Sequence, residues 1–212
     1  MAEGNDEPDA TGGPQYAKRL AQLENAWWKR ALGAQWPYRW NLRRLEPGFT
    51  LDVGCGLGRN LGHLDGNGVG IDHNPDLVAI ARSRGLRAYT PGVFAASEYA
   101  RPETFDSLLC SHVVEHMTVD SAVDLVRPYL AFVRPGGKVI FVTPQEGGFR
   151  SDPTHVEFYD FDALDNLLDR LGLVRLSAFS FPFPRVAGRV FTYNEFVVVA
   201  RRDHDACGID GR

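Results

Sequence analysis

The sequence contains no apolar run approaching the roughly 20 residues that a membrane-spanning helix needs, which excludes an integral helical membrane protein. Its three cysteines, Cys55, Cys110 and Cys207, are odd in number and form no C-x-x-C pair. That spacing argues against a disulfide framework and a structural zinc site, and fits reduced thiols. Lysine is scarce, 3 residues against 20 arginines, and the formal net charge is -4. Beyond Arg39 to Arg44 no short window concentrates basic side chains, so the sequence lacks the cationic face that a long phosphate backbone requires. Nucleic acid is therefore not an expected partner. The opening MAEGNDEPDATGG is acidic where a secretory signal would be basic and then apolar, so the expectation is a cytoplasmic protein with no membrane partner.

What remains is the composition of a globular chain. With 212 residues, 44% apolar and 24% charged, the sequence supports one domain with a substantial core. Residues 1–14 hold Gly, Pro, Asp and Glu with little to bury and read as a disordered tail, and residues 203–212 read as a flexible one. Leu20, Leu23, Trp27 and Ala31 recur at helical spacing, predicting an amphipathic helix over 15–32. Pro37 is placed to open a second short helix. From Phe49 onward short apolar runs alternate with helical stretches, the pattern of parallel strands joined by crossover helices. Strands are predicted at 49–53, 68–72, 87–90, 107–111 and 138–143, with helices at 59–64, 75–84, 121–133 and 161–171. Pro128 is placed to kink the third of these helices. Two final strand-like runs, 174–181 and 190–201, have no helix between them and would pair antiparallel. The predicted fold is thus an α/β three-layer sandwich around a seven-stranded sheet whose last strand is antiparallel.

The chemistry concentrates at Asp52-Val53-Gly54-Cys55-Gly56-Leu57-Gly58, which follows a predicted strand and runs into a helix. Glycines there permit tight turning and close approach of a ligand to backbone N–H groups. The spacing is D-x-G-x-G-x-G, and Arg59 stands where a dinucleotide fingerprint would need its third glycine. An acid at Asp52 would repel a pyrophosphate but suits the ammonium or hydroxyls of an aminoacyl nucleoside. Asp72 closes the next strand, where a carboxylate can accept both hydroxyls of a ribose.

On these residues, together with Phe105 to His112 and the turn Arg134-Pro135-Gly136-Gly137-Lys138-Val139, the sequence resembles the class I S-adenosylmethionine-dependent methyltransferases, whose fold is Rossmann-like. The resemblance covers residues 49–143 and implies an O-methyltransferase with S-adenosyl-L-methionine as cofactor. It implies a cofactor site formed by Asp52, Gly54, Cys55, Gly56, Asp72, His73, Ser111 and His112. Phe94 takes the place of the aspartate that many members use for adenine. Residues 15–46 become a helical lid over a methyltransferase domain at 47–202, with Arg39 or Arg43 reaching the methionine carboxylate.

His112-Val113-Val114-Glu115-His116 and Asp152-Pro153-Thr154-His155 put three histidines at the ends of the fourth and fifth strands, where open parallel sheets bind ligands. On one helical turn His112, Glu115 and His116 would share a face. H-x-x-E-H by itself is an inverted zinc-peptidase motif. Within the methyltransferases it resembles the E-x-x-E-H pentad of enzymes acting on RNA ends or quinol precursors, with Glu115, His116 and His155 as ligands of a divalent cation, magnesium or manganese. His112 in place of the first glutamate favours a softer ion, manganese, cobalt or zinc. The alternative keeps Glu115 and His116 as packing beneath the cofactor and His155 as a free base. The polar and aromatic mixture of 145–159 and 180–194 suits a sugar or phenol pocket, and is most similar to small sugar and natural-product O-methyltransferases. The expected partner is a small polar acceptor, a carbohydrate, with an RNA 3′ end, a quinol precursor or a non-catalytic cofactor-binding module as alternatives. A homodimer stays open.

Overall fold

The computed structural model describes residues 35–203. The expected tail at 1–14, the helix at 15–32 with Trp27 and Trp28, Cys207 and the tail from 204 lie outside the described residues. Helix α1 (Gln35–Arg44) opens the described chain with Pro37 in its first turn. Strand β1 (Thr50–Val53) leads through the glycine loop into α2 (Arg59–His63), then β2 (Gly68–Ile71), α3 (Pro75–Ser83) and β3 (Ala88–Tyr89). A short α4 (Pro91–Ala95), β4 (Phe105–Ser111), a 3₁₀ turn at Val114–His116, α5 (Val119–Leu130) and β5 (Val133–Pro144) follow. The last part comprises α6 (Glu146–Phe149), α7 (Phe161–Leu171), β6 (Leu173–Phe181), a 3₁₀ turn at Arg185–Arg189 and β7 (Glu195–Arg202).

The seven strands lie in the order β3-β2-β1-β4-β5-β7-β6. β1 to β5 pair in parallel, while β7 runs antiparallel to both β5 and β6. All four residues of β1 and of β2 are buried, as strands covered on both faces must be. The crossover helices supply that cover. In α7 the buried side chains are Leu164, Leu167, Leu168 and Leu171, at i, i+3, i+4 and i+7. Asp160 caps its start through the Ala163 N–H, and Gly172 ends it in the left-handed conformation. Asn74 and Thr118 cap α3 and α5 in the same way. Sequential strands depart in opposite directions from β1, toward β2 on one side and β4 on the other. This is the switch point at which open α/β sheets bind ligands beyond the strand ends.

Four expectations change. β5 begins at Val133, so Arg134 to Gly137 lies within the strand; the register with β4 jumps between the Phe105–Val133 and Ser107–Lys138 pairs, absorbing the glycines as a bulge. Helix α5 starts two residues earlier than expected, at the Thr118 cap, and runs through Pro128 to Leu130. Residues 190–194, expected as strand, form a loop ahead of β7. The short helices α4 and α6 have no periodic signal long enough to reveal them.

Candidate functional site

A cleft of about 710 Å³ opens over the switch point. Its wall is drawn from the glycine loop, the ends of β2, β4 and β5, helix α1 and the segment before β7. Gly54 and Gly56 take positive φ, 76° and 52°. A Cβ on Gly54 would meet Val113 Cγ2 at 2.3 Å, whereas the space beside Gly56 is open to 4 Å. Gly56 therefore leaves a cradle into which a ligand can come close to the backbone. Its N–H donates to Asp72 Oδ2 at 2.8 Å, and the Asn74 N–H donates to Asp72 Oδ1 at 2.9 Å. Asp72 is thus fixed at the cleft wall with one backbone bond per oxygen, and each oxygen retains a lone pair.

Asp52 lies at the end of β1 with both carboxylate oxygens buried and no hydrogen-bond partner among the described residues. Burial raises its pKa to about 7, against the pull of the Arg59 guanidinium and Asn60. Arg59 and Asn60 both line the cleft. Asp52 itself has no exposed surface and is not on the cleft wall, so it backs Arg59 and Asn60 from beneath rather than meeting a ligand, contrary to the sequence expectation. His63, on the same side, is pushed down to about 4 by burial and by Arg59, Arg39 and Arg43. The sign follows from linkage: its folded pKa lies below the ordinary value of 6.5, so neutral His63 contributes stability above pH 6.5 that is lost as the pH falls toward 4. We expect the melting temperature of His63→Gln to fall less steeply than that of the parent between pH 6.5 and 4. Parallel curves for the two proteins would show that His63 does not carry this acid sensitivity.

Three further groups of the cleft wall converge. Glu115, His116 and His155 each offer a ligand atom within 4.8 Å of the others. The Glu115 backbone carbonyl accepts from the N–H groups of Val156 and Glu157, at 2.7 and 3.2 Å, which ties the Asp152–His155 segment to the 3₁₀ turn. His155 Nδ1 lies 2.8 Å from the Phe149 carbonyl, and His116 Nδ1 lies 3.1 Å from the Thr154 carbonyl. A carbonyl can only accept, so Nδ1 carries a proton in both rings, and in the neutral ring that leaves the lone pair on Nε2. Glu115 is fully buried; its Oε1 pairs with His112 Nδ1 at 3.2 Å and its Oε2 has no partner.

His112 departs from the expected helical turn. It stands at φ 58°, left-handed and costly for a residue with a Cβ, just before the 3₁₀ turn that holds Glu115 and His116. Its Nε2 meets Glu195 Oε1 at 2.8 Å, away from the three-residue cluster. Burial alone would push His112 down, but the hydrogen bonds and charges of Glu115 and Glu195 outweigh it and hold the pKa up at about 9. The inverted zinc-peptidase reading needs His112 and His116 on one ion, and this geometry separates them.

Two further expectations are corrected. Phe94 is 2% exposed and packs in the core, edge-on to Tyr129 and Phe132, because α4 turns it inward; Pro91 of the same helix reaches the cleft instead. Arg39 is not on the cleft wall: it pairs with Asp65 at 2.8 Å, and Arg43 also engages Asp65, so neither points toward a cofactor carboxylate. Cys55, His73 and Ser111 do line the cleft, together with Gly54, Gly56, Asp72, His112, Glu115, His116 and His155. Arg59, Tyr38 and Glu195 also line it and were not anticipated. Arg59 had a readable signal, as the first helical residue after the glycine loop. Glu195 had none, because nothing in the sequence reports its meeting with His112, 83 residues away.

Residues 51–141 match the methyltransferase domain family. The ubiquinone biosynthesis O-methyltransferase of Hydrogenovibrio crunogenus is 31% identical over 147 residues, 61% of this chain and 60% of that protein. The protein of the same name from Xanthomonas euvesicatoria pv. vesicatoria is 32% identical over 143 residues, 59% of each chain. The match thus spans about three fifths of the length of these relatives. A crystal structure of an S-adenosylmethionine-dependent methyltransferase from Archaeoglobus fulgidus superposes with a TM-score of 0.65 at 17% identity, covering 86% of this chain and 99% of that one. Magnesium protoporphyrin IX methyltransferase from Synechocystis PCC 6803, solved with S-adenosylhomocysteine bound, gives 0.57 at 13% identity, covering 88% and 98%. The seven-stranded sheet and its antiparallel β7 are those of the class I, S-adenosylmethionine-dependent methyltransferase fold. Among the described residues no helix is long and apolar enough to cross a membrane.

Proposed function

We propose that this class I S-adenosylmethionine-dependent methyltransferase methylates a phenolic hydroxyl of a small acceptor of the quinol-precursor kind. When bound, the cofactor supplies an electrophilic methyl group on a sulfonium. Asp72 would accept its ribose hydroxyls, the open side of Gly56 would take the nucleoside against the backbone, and Arg59 would serve its carboxylate end. The acceptor hydroxyl sits at Glu115, His116 and His155. The observation that carries this reading is the pair of imidazoles whose Nε2 lone pairs are preset by backbone carbonyls at the cleft wall.

A phenol suits these groups better than an alcohol does. Phenols ionise near pH 10 and imidazoles near 6.5, a gap of roughly 3.5 units or about 5 kcal/mol for proton transfer, whereas a sugar hydroxyl lies much further away. The names of the relatives point to quinone biosynthesis rather than to carbohydrate. His155 Nε2 would take the proton of a hydroxyl held beside it, leaving the oxygen free to accept the methyl group. A second reading follows from the unpartnered Glu115 Oε2: Glu115, His116 and His155 fit a divalent cation, which would lower the pKa of a coordinated hydroxyl. Two nitrogens and one carboxylate suit manganese, cobalt or zinc more than magnesium, and the backbone bonds at both Nδ1 atoms are the outer support that metal-bound histidines have.

The test is transfer of labelled methyl from S-adenosylmethionine to catechol, phenol, methyl glucoside and a short RNA. Label recovered as an aryl methyl ether, at a rate well above the other two classes, is the expected result. Preferential labelling of the glucoside would replace the phenol with a sugar, and preferential labelling of RNA would remove the small-molecule acceptor altogether.

A further inference from the structure

We infer that Glu195 recognises the acceptor through a second hydroxyl, one that is not methylated, and so selects dihydroxylated over monohydroxylated acceptors. The inference deepens the phenolic O-methylation proposed above and rests on it. Glu195 opens β7, where its backbone pairs with Pro144 at the end of β5 and Phe181 at the end of β6. Its carbonyl accepts from Gln145 Nε2 at 2.9 Å, and Gln145 Oε1 in turn accepts from Asn194 Nδ2 at 2.9 Å, so the backbone at this point is locked. The side chain forms part of the cleft wall with 13% of its surface exposed. His112 Nε2 fixes Oε1, while Oε2 makes no hydrogen bond to the described residues and is not sealed away.

A largely buried carboxylate on a cleft wall, with one oxygen held and the other unbonded, can accept from a ligand donor, and a hydroxyl group is the neutral donor of matching size. Charge narrows the choice further. Glu195 and Glu115 flank one imidazole, and Asp152 adds a third carboxyl group on the same wall. Among the described residues the cleft wall has no lysine, and its arginine, Arg59, belongs to the glycine-loop end. An acceptor with an anionic group beside the reacting hydroxyl would meet repulsion, whereas a hydroxyl there would be held. His112 then acts as a positioning residue, aiming Glu195 with one nitrogen and Glu115 with the other.

The experiment titrates the S-adenosylhomocysteine-loaded protein with catechol and with phenol, following binding by protein-observed NMR, and repeats this with Glu195→Gln. A charge-assisted hydrogen bond corresponds to about a 10-fold or larger difference. The parent should bind catechol at least that much more tightly than phenol; Glu195→Gln should bring the two within about 3-fold while leaving phenol and S-adenosylhomocysteine affinities unchanged. Should Glu195→Gln not fold, Glu195→Asp, which withdraws the carboxylate by one methylene, must show the same loss of preference. No preference in the parent, or an equal loss for both ligands in the variant, would overturn the assignment. Because binding is read without turnover, a failure of methyl transfer would count against the proposed reaction and leave this result separate.

Discussion

Asp72→Ala is expected to weaken S-adenosylhomocysteine binding by about 10- to 100-fold, measured by calorimetry on protein shown to be folded. The carboxylate is 6% exposed, and its two oxygens already hold the Gly56 and Asn74 N–H groups. Substitution therefore removes two things together: the proposed acceptor for the ribose hydroxyls and the brace that shapes the glycine loop. A hydrogen bond to a charged group is worth about 1.5 to 3 kcal/mol, and each 1.4 kcal/mol is tenfold in affinity, which gives the stated range. Asp72→Asn separates the two roles, since the amide oxygen still accepts one backbone bond while its NH₂ cannot accept a hydroxyl proton. It should retain the parent melting temperature more closely than Asp72→Ala and still lose most of the affinity. Unchanged affinity in a folded Asp72→Ala would remove Asp72 from the site.

The reach of the sequence follows from what each feature depends on. β1, the glycine loop, α2, β2 and Asp72 are consecutive, so their register is carried by local spacing and could be read directly. Helix α7 is legible from Phe161 to Leu171 because its signals, Gly172 at the end among them, act locally. Phe94 was misplaced because its direction is set by α4, a five-residue helix too short to leave a periodic trace. The role of Arg39 is implied only by the family resemblance, and the competing partner, Asp65, is 26 residues away in a different turn. The cluster of Glu115, His116 and His155 was legible as residue types at two strand ends. The Nδ1 bonds that preset its chemistry were not, because they run to backbone carbonyls of Thr154 and Phe149 in a loop whose path the sequence does not dictate. Glu195 and His112 meet only because β7 inserts between β5 and β6.

His155→Ala should lower turnover by about 10²- to 10⁴-fold, the contribution of a well-placed base, while S-adenosylhomocysteine affinity is preserved. His155 stacks on Phe149 at 5.3 Å and lies 4.9 Å from His116, ring centre to ring centre, so the ring is held where its Nε2 can serve the hydroxyl. The two readings of this cluster diverge under chelation. If His155 acts as a free base, EDTA leaves the parent rate unchanged and Glu115→Ala, which removes no proton acceptor at the hydroxyl, costs far less than His155→Ala. If Glu115, His116 and His155 hold a divalent cation, EDTA abolishes the parent rate, manganese, cobalt or zinc restores it, and Glu115→Ala falls to the level of His155→Ala. The proposed phenolic acceptor sharpens the contrast, because raising the pH toward 10 ionises a phenol without help and should recover much of the rate lost in His155→Ala under either reading. A His155→Ala protein with full activity in EDTA at neutral pH would eliminate both. Catalysis would then rest on positioning alone, which can supply about 7 to 11 kcal/mol when the reacting atoms are aligned.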